Sequence, residues 1–215
     1  MDAKKALSHV DHTLLKATST WEQVKTLCEE AVKYNTASVC IPPSFVKKAF
    51  ENYGDKITIC TVIGFPLGYN TTAIKKAEVE DAIKNGATEV DMVVNLGDVK
   101  EGNFDKVEQE IKVLREASGK HILKVIVETC YLTEEEKIKL CECVTNAKAD
   151  YIKTSTGFGT GGATLEDIEL FKKHIGKDVK IKASGGIRTR EDIEAFLAAG
   201  ADRIGASSAV KAYME

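Results

Sequence analysis

Eight short runs of β-branched and aliphatic residues alternate with amphipathic helical segments along the 215 residues. That alternation constrains the fold more than any other feature. The strand-like runs fall at residues 9–14, 38–41, 57–63, 89–94, 122–127, 151–154, 179–183 and 203–206. Between them, apolar residues recur at three- and four-residue intervals, as in Trp21, Val24, Leu27, Cys28 and Ala31, or Phe104, Val107, Ile111 and Leu114, the spacing of one buried helix face. Thr20 with Gln23 and Thr133 with Glu136 fit the capping box, and Thr164 and Thr189 each precede acidic first-turn residues, so helix starts are marked as well. Eight strand–helix units of about 27 residues predict a closed parallel TIM (β/α)8 barrel, α/β in class and compact for its kind. A single domain over residues 1–215 is expected, with a doubly wound open sheet as the alternative.

A barrel makes its strand ends interpretable, because side chains alternate between lumen and helix layer. Tyr151-Ile152-Lys153-Thr154-Ser155-Thr156-Gly157 and Ile181-Lys182-Ala183-Ser184-Gly185-Gly186 each read as a strand ending on a lysine, and the lysines are 29 residues apart. With Ile152, Ile181 and Ala183 facing the helices, Lys153 and Lys182 face the lumen. Val90, Met92 and Val94 suit the helix layer, which turns Asp91 inward. Lys124 and Glu128 share the inward face of the fifth strand, so three lysines compete for one role, with Lys124 expected deeper and paired to a carboxylate. A lysine is nucleophilic only when neutral. A second ammonium nearby in a partly desolvated pocket lowers its pKa, so the pair points to an amine readied to attack a carbonyl.

The loops after the seventh and eighth strands of a barrel commonly form a phosphate cup. Gly185-Gly186-Ile187-Arg188 and Gly205-Ala206-Ser207-Ser208 stand there. Glycines admit a phosphate close to the backbone, and Arg188, Ser207 and Ser208 offer donors. The plainer reading is that these glycines only turn the chain. Gly157-Phe158-Gly159-Thr160-Gly161-Gly162 lacks the spacing of a dinucleotide fingerprint and reads as a flexible, substrate-facing loop.

Composition narrows the partners. A net charge of −3 with scattered basic residues argues against nucleic-acid and anionic-membrane surfaces. No apolar run approaches a membrane span, and the polar N-terminus is unlike a secretory leader, so a cytoplasmic location is expected. The six cysteines lack the spacing of a disulfide framework or a zinc set; His9 and His12 would face opposite sides of a strand. No metal site is expected.

Four segments together resemble the motifs of the deoxyribose-phosphate aldolase family: Lys153-Thr154-Ser155-Thr156-Gly157, Lys182-Ala183-Ser184-Gly185-Gly186-Ile187-Arg188-Thr189, Glu89-Val90-Asp91-Met92-Val93-Val94-Asn95, and Gly64-Phe65-Pro66-Leu67-Gly68. The resemblance runs from Asp11-His12-Thr13 to Gly205-Ala206-Ser207-Ser208. It implies a class I aldolase on a TIM barrel that reversibly cleaves 2-deoxy-D-ribose 5-phosphate to D-glyceraldehyde 3-phosphate and acetaldehyde with no cofactor. By that resemblance Lys153 is the Schiff-base lysine, Lys182 the neighbour that lowers its pKa, and Asp91 a proton donor and acceptor. Asp11 and Thr13 would hold sugar hydroxyls or only cap their strand, and Gly157, Gly185, Gly186, Arg188, Gly205, Ser207 and Ser208 would take the phosphate. Phe158 stands where some members carry a lysine, and the chain ends two residues after Tyr213, where some continue into a tail with a catalytic tyrosine. Cys40, at the end of the second strand, is expected to be open to unsaturated aldehydes. The rival readings are a sugar-phosphate isomerase on the same cup and a non-catalytic phosphometabolite-binding protein. The partner is a phosphosugar, and a homo-oligomer, dimer or tetramer, is open.

Overall fold

The structure, a computed structural model, describes residues 1–214. The elements run α1 (Ala3–Leu7), β1 (Val10–Thr13), α2 (Trp21–Tyr34), β2 (Ser38–Cys40), α3 (Val46–Tyr53), β3 (Ile59–Ile63), α4 (Thr72–Lys84), β4 (Glu89–Val93), α5 (Leu96–Lys100) and α6 (Phe104–Ser118). They continue with β5 (Ile122–Ile126), α7 (Glu134–Asn146), β6 (Tyr151–Lys153), α8 (Leu165–His174), β7 (Lys180–Ser184), α9 (Arg190–Ala199), β8 (Arg203–Ala206) and α10 (Ala209–Met214). The strands form a closed barrel in sequence order, with β8 pairing β1 in parallel. The open sheet is thereby replaced by closure, and every expected strand is present to within two residues at either end.

The caps explain where the helices start. Gln23 accepts from the Thr20 N–H at 3.0 Å. At Thr133 both arms of the box are made, Glu136 N–H to Thr133 Oγ1 at 3.2 Å and Thr133 N–H to Glu136 Oε2 at 2.7 Å. Thr164 and Thr189 each accept from an aspartate N–H three residues on, at 3.1 Å. These bonds satisfy donors that the helix itself leaves open.

The strands partition their side chains as a two-sided surface should. Val90, Met92, Val94, Ile152, Ile181 and Ala183 join the continuous apolar layer between sheet and helices. Inside the barrel, by contrast, the apolar cluster among the described residues is Cys40, Cys60 and Val62, with Leu15 and Phe65 against it. Most barrels fill the lumen with branched aliphatic layers; here buried charge takes that space. Register brings it together, pairing Asp91 with Lys124, Lys153 with Lys182, and Lys182 with Arg203 across neighbouring strands.

Candidate active site

The lumen holds a closed network of buried ions. Asp91 Oδ2 accepts from Lys153 Nζ at 2.8 Å and Lys182 Nζ at 2.7 Å, while its Oδ1 accepts from Lys124 Nζ at 2.8 Å. Asp11 lies 2.5 Å from Lys182 Nζ and 2.5 Å from Arg203 Nη1, and it accepts from Ser38 Oγ at 2.7 Å. Glu89 completes the set at 2.6 Å from Lys124 and 3.3 Å from Arg203. Four cations thus face three carboxylates. Burial opposes charge at Asp91, but the ammoniums of Lys124, Lys153 and Lys182 outweigh it and hold the carboxyl well below the usual range. Burial likewise opposes the charge of Lys182, and Asp11 and Asp91 outweigh it, so this ammonium is held above the ordinary lysine range. Lys124 is held up the same way, chiefly by Asp91 against its burial. A buried ion survives only with such partners.

Above this network a cleft of about 440 Å³ opens at the C-terminal ends of the strands, lined by Lys153, Thr156, Gly157 and Phe158 from the β6 end, residues 184–188 from the β7 end, and Gly205, Ala206 and Ser207 from β8. Lys153 is the one ion of the lumen network that lines it. Lys182, Lys124 and both aspartates are fully buried below, and Lys153 is 3% exposed. Gly157 and Gly186 have φ of +85° and +79°, and a β-carbon on either would meet nothing within 4 Å. Both line the cleft, and neither N–H donates to any described residue. Such bare amides suit an anion. A larger hollow of about 720 Å³ on the helix layer, lined by residues 102–106 and by Glu108, Lys139, Glu142, Cys143 and Asn146, contains no residue of the barrel lumen.

The structure gathers Lys153, Gly157, Gly185, Gly186, Arg188, Gly205 and Ser207 around one cleft and places others elsewhere. Asp11 does not line it; the side chain is committed to Lys182, Arg203 and Ser38, which displaces the reading of Asp11 as a holder of sugar hydroxyls. Thr13 does line it. Ser208 also stands behind the wall, its hydroxyl donating to the Arg188 carbonyl at 2.9 Å. Gly205 serves clearance as much as backbone approach, since a β-carbon there would lie 2.9 Å from Ser184 Cβ and 3.2 Å from Lys182 Cε. Cys40 is fully buried, against the expectation of an open thiol. Glu128 leaves the lumen, because its backbone turns left-handed at φ 56°. The loop at residues 157–162 is anchored: the Ala163 N–H donates to the Ser184 and Gly185 carbonyls at 3.1 Å, and a β-carbon at Gly162 would come 2.1 Å from the Gly185 oxygen. Tyr213 sits outside the cleft under the Arg190 guanidinium, 5.2 Å from its ring centre.

Two members of the network, Glu89 and Arg203, were not expected. Period-two spacing contains both, since Glu89 shares the inward face of Asp91 and Arg203 that of Gly205; a charge at the start of a strand simply resembles a surface residue.

An amine at the floor of a cleft, reached from it and with fixed charge beneath, is arranged for carbonyl chemistry, and it sets the chain among the lysine-dependent enzymes built on parallel barrels. Comparison with known proteins narrows the class. The DeoC/LacD family aldolase profile matches residues 5–212, and the chain belongs to that family. It is 62% identical over 208 residues to the deoxyribose-phosphate aldolase of Clostridioides difficile, covering 97% of this chain and 95% of that protein. To the deoxyribose-phosphate aldolase of Clostridium botulinum strain Alaska E43 it is 60% identical over 210 residues, 98% of this chain and 95% of that one. Among solved structures, the deoxyribose phosphate aldolase of Aeropyrum pernix, described as a tetramer, superposes with a TM-score of 0.92 at 31% identity, covering 99% of this chain and 91% of that chain.

Proposed function

We propose that the chain reversibly cleaves 2-deoxy-D-ribose 5-phosphate to D-glyceraldehyde 3-phosphate and acetaldehyde through a Schiff base on Lys153. The observation that carries this is the position of Lys153: it alone of the lumen ions lines the cleft, and it has one carboxylate partner where Lys182 has two. The free amine adds to the C1 carbonyl of the open-chain sugar, and loss of water gives an iminium. A water in the cleft takes the proton of the C3 hydroxyl, the C2–C3 bond breaks, and the bonding pair moves into the enamine as glyceraldehyde 3-phosphate leaves. The enamine takes a proton at C2, and hydrolysis of the resulting imine frees acetaldehyde and Lys153.

Asp91 stays ionised through this sequence, because three ammoniums hold its carboxylate well below the usual range, and it holds the Lys153 side chain from beneath. Lys182 keeps its proton and supplies the fixed positive charge beside the reacting amine. The phosphate rests on the Gly157 and Gly186 amides with Arg188 at the rim. The six thiols, all unpaired in the structure, suit a reducing cytoplasm. Exposed Leu67, Tyr69 and Ile74 suit a homo-oligomer, in keeping with the Aeropyrum relative.

The deciding experiment is borohydride reduction in the presence of acetaldehyde, with the modified peptide mapped by mass spectrometry. An ethyl group on Lys153 is expected. An unmodified Lys153 favours an isomerase or a binding protein, and modification of Lys182 instead would exchange the two roles.

A further inference from the structure

Glu128 is a buried carboxylate that the chemistry above does not use. It is 2% exposed and forms no ion pair with any described residue, and burying so polar a group is costly unless hydrogen-bond donors replace the water. Its backbone adds a second cost, because φ of 56° and ψ of 65° lie in the left-handed region that side-chain-bearing residues avoid. Two costs at one position, next to the cleft, call for a function.

Its partners supply one. The chain continues to pair with the β6 segment past the end of β5, the Val127 N–H donating to the Lys153 carbonyl at 3.0 Å and the Thr129 N–H to the Thr154 carbonyl at 2.9 Å. Glu128 between them is turned by its left-handed backbone out of the lumen and onto the loop after β6. There Oε1 accepts from the Thr156 N–H at 3.1 Å and Oε2 from the Thr156 hydroxyl. The same hydroxyl oxygen then accepts from the Phe158 N–H at 3.0 Å. Gly159 closes over the carboxylate, so that a β-carbon there would lie 3.2 Å from Glu128 Cδ. One carboxylate thereby engages the amides of residues 156 and 158, directly or through the threonine. It leaves the amide of Gly157, the residue between them and part of the cleft wall, without an acceptor among the described residues.

We propose that Glu128 is a positioning residue of the phosphate site, acting through Thr156 to aim the Gly157 N–H at the substrate phosphate. The proposal rests on the aldolase reading for the identity of that substrate. It makes the β6 side of the anion cup depend on a side chain from β5 that never touches the ligand.

The test compares 2-deoxyribose 5-phosphate with 2-deoxyribose in wild type, Glu128→Ala, Thr156→Val and the double variant. For Glu128→Ala the KM for the phosphorylated sugar is expected to rise about tenfold or more with kcat within about threefold, while kcat/KM for 2-deoxyribose stays within about threefold. Thr156→Val keeps the volume and should move the same parameter in the same direction. The double variant should be no worse than the poorer single, the signature of two groups acting as one unit. Inorganic phosphate should raise the melting temperature of wild type and not of Glu128→Ala. Equal losses on both substrates, an unchanged KM, or additive effects overturn the proposal. If Glu128→Ala does not fold, Thr156→Val decides by the same criteria. The wild-type acetaldehyde adduct on Lys153 is measured alongside: its absence sinks the aldolase reading, whereas its presence with no selective effect in the variants sinks only the role of Glu128.

Discussion

Lys182 has carboxylates at 2.5 and 2.7 Å, and Lys153 has a single one at 2.8 Å that it shares. The two side chains are otherwise alike, so partner count and access to the cleft are what set Lys153 apart from Lys182. Replacing Lys182 with leucine removes the neighbouring charge and leaves Asp91 more fully to Lys153. Activity should fall about 100-fold or more, and what remains should climb toward alkaline pH, as a pH–rate profile would register; an unshifted profile contradicts this role. At the rim, Arg188 is exposed and lines the cleft, with Phe158 offering no charge beside it. Arg188→Ala should therefore raise KM for the phosphosugar about tenfold with a smaller change in kcat, checked by steady-state kinetics. The inward positions of Lys153, Lys182, Lys124 and Asp91 were legible because strand alternation is strict. Glu128 was misread for the same reason: alternation assumes that the strand continues, and a left-handed residue breaks it without any mark in the residue type. Asp11 was placed correctly on its strand, yet spacing does not reveal that an aspartate has two cations waiting for it.

Between elements, the helix layer carries its own buried ion pair. Lys75 of α4 is fully buried, and its Nζ lies 2.7 Å from Glu110 Oε2 of α6 and 2.9 Å from the Val93 carbonyl at the end of β4. The Lys75 stem also packs under the turn after β3, where a β-carbon on Gly64 would come within 2.8 Å of Lys75 Cε. Removing one partner strands the other, so Glu110→Ala should cost about 3–5 kcal/mol, while Lys75→Met with Glu110→Leu should recover most of it; urea unfolding of the three proteins tests both statements. A lysine within a helix reads as solvated, and nothing in the helical pattern distinguishes Lys75 from exposed Lys76 beside it. Caps were more informative, because Thr133 and Thr189 carry their partner three residues away. The short helices α1, α5 and α10 escaped the periodicity argument, which needs more turns than five or six residues provide.

Across the whole molecule, the lumen ions set how stability responds to pH. Asp11 and Asp91 are held below the ordinary carboxylate value, so their contribution is in place above about pH 4 and fades as the pH falls further. Lys124 and Lys182 are held above the ordinary lysine value; their contribution is complete below about pH 10 and is lost only as the pH rises beyond it. Asp11→Asn should accordingly melt below wild type by a nearly constant margin from about pH 5 to pH 9, with the margin narrowing under about pH 4. A margin that widens in acid would contradict the assignment. The barrel and its closure were readable from the eightfold alternation, whereas the ionic lumen was not, because it depends on which inward residues from six different strands meet.

The count of four cations against three carboxylates has a bearing on the reaction coordinate. In the proposed reaction, an iminium on Lys153 carries the same single charge as the ammonium it replaces, so the lumen receives the intermediate with its charge count unchanged. Cleavage of the C2–C3 bond then converts that iminium to an uncharged enamine, and the tally becomes three against three. The electrostatic template inside the barrel thus reaches neutrality at the step where the carbon–carbon bond breaks, and it is assembled before any sugar arrives.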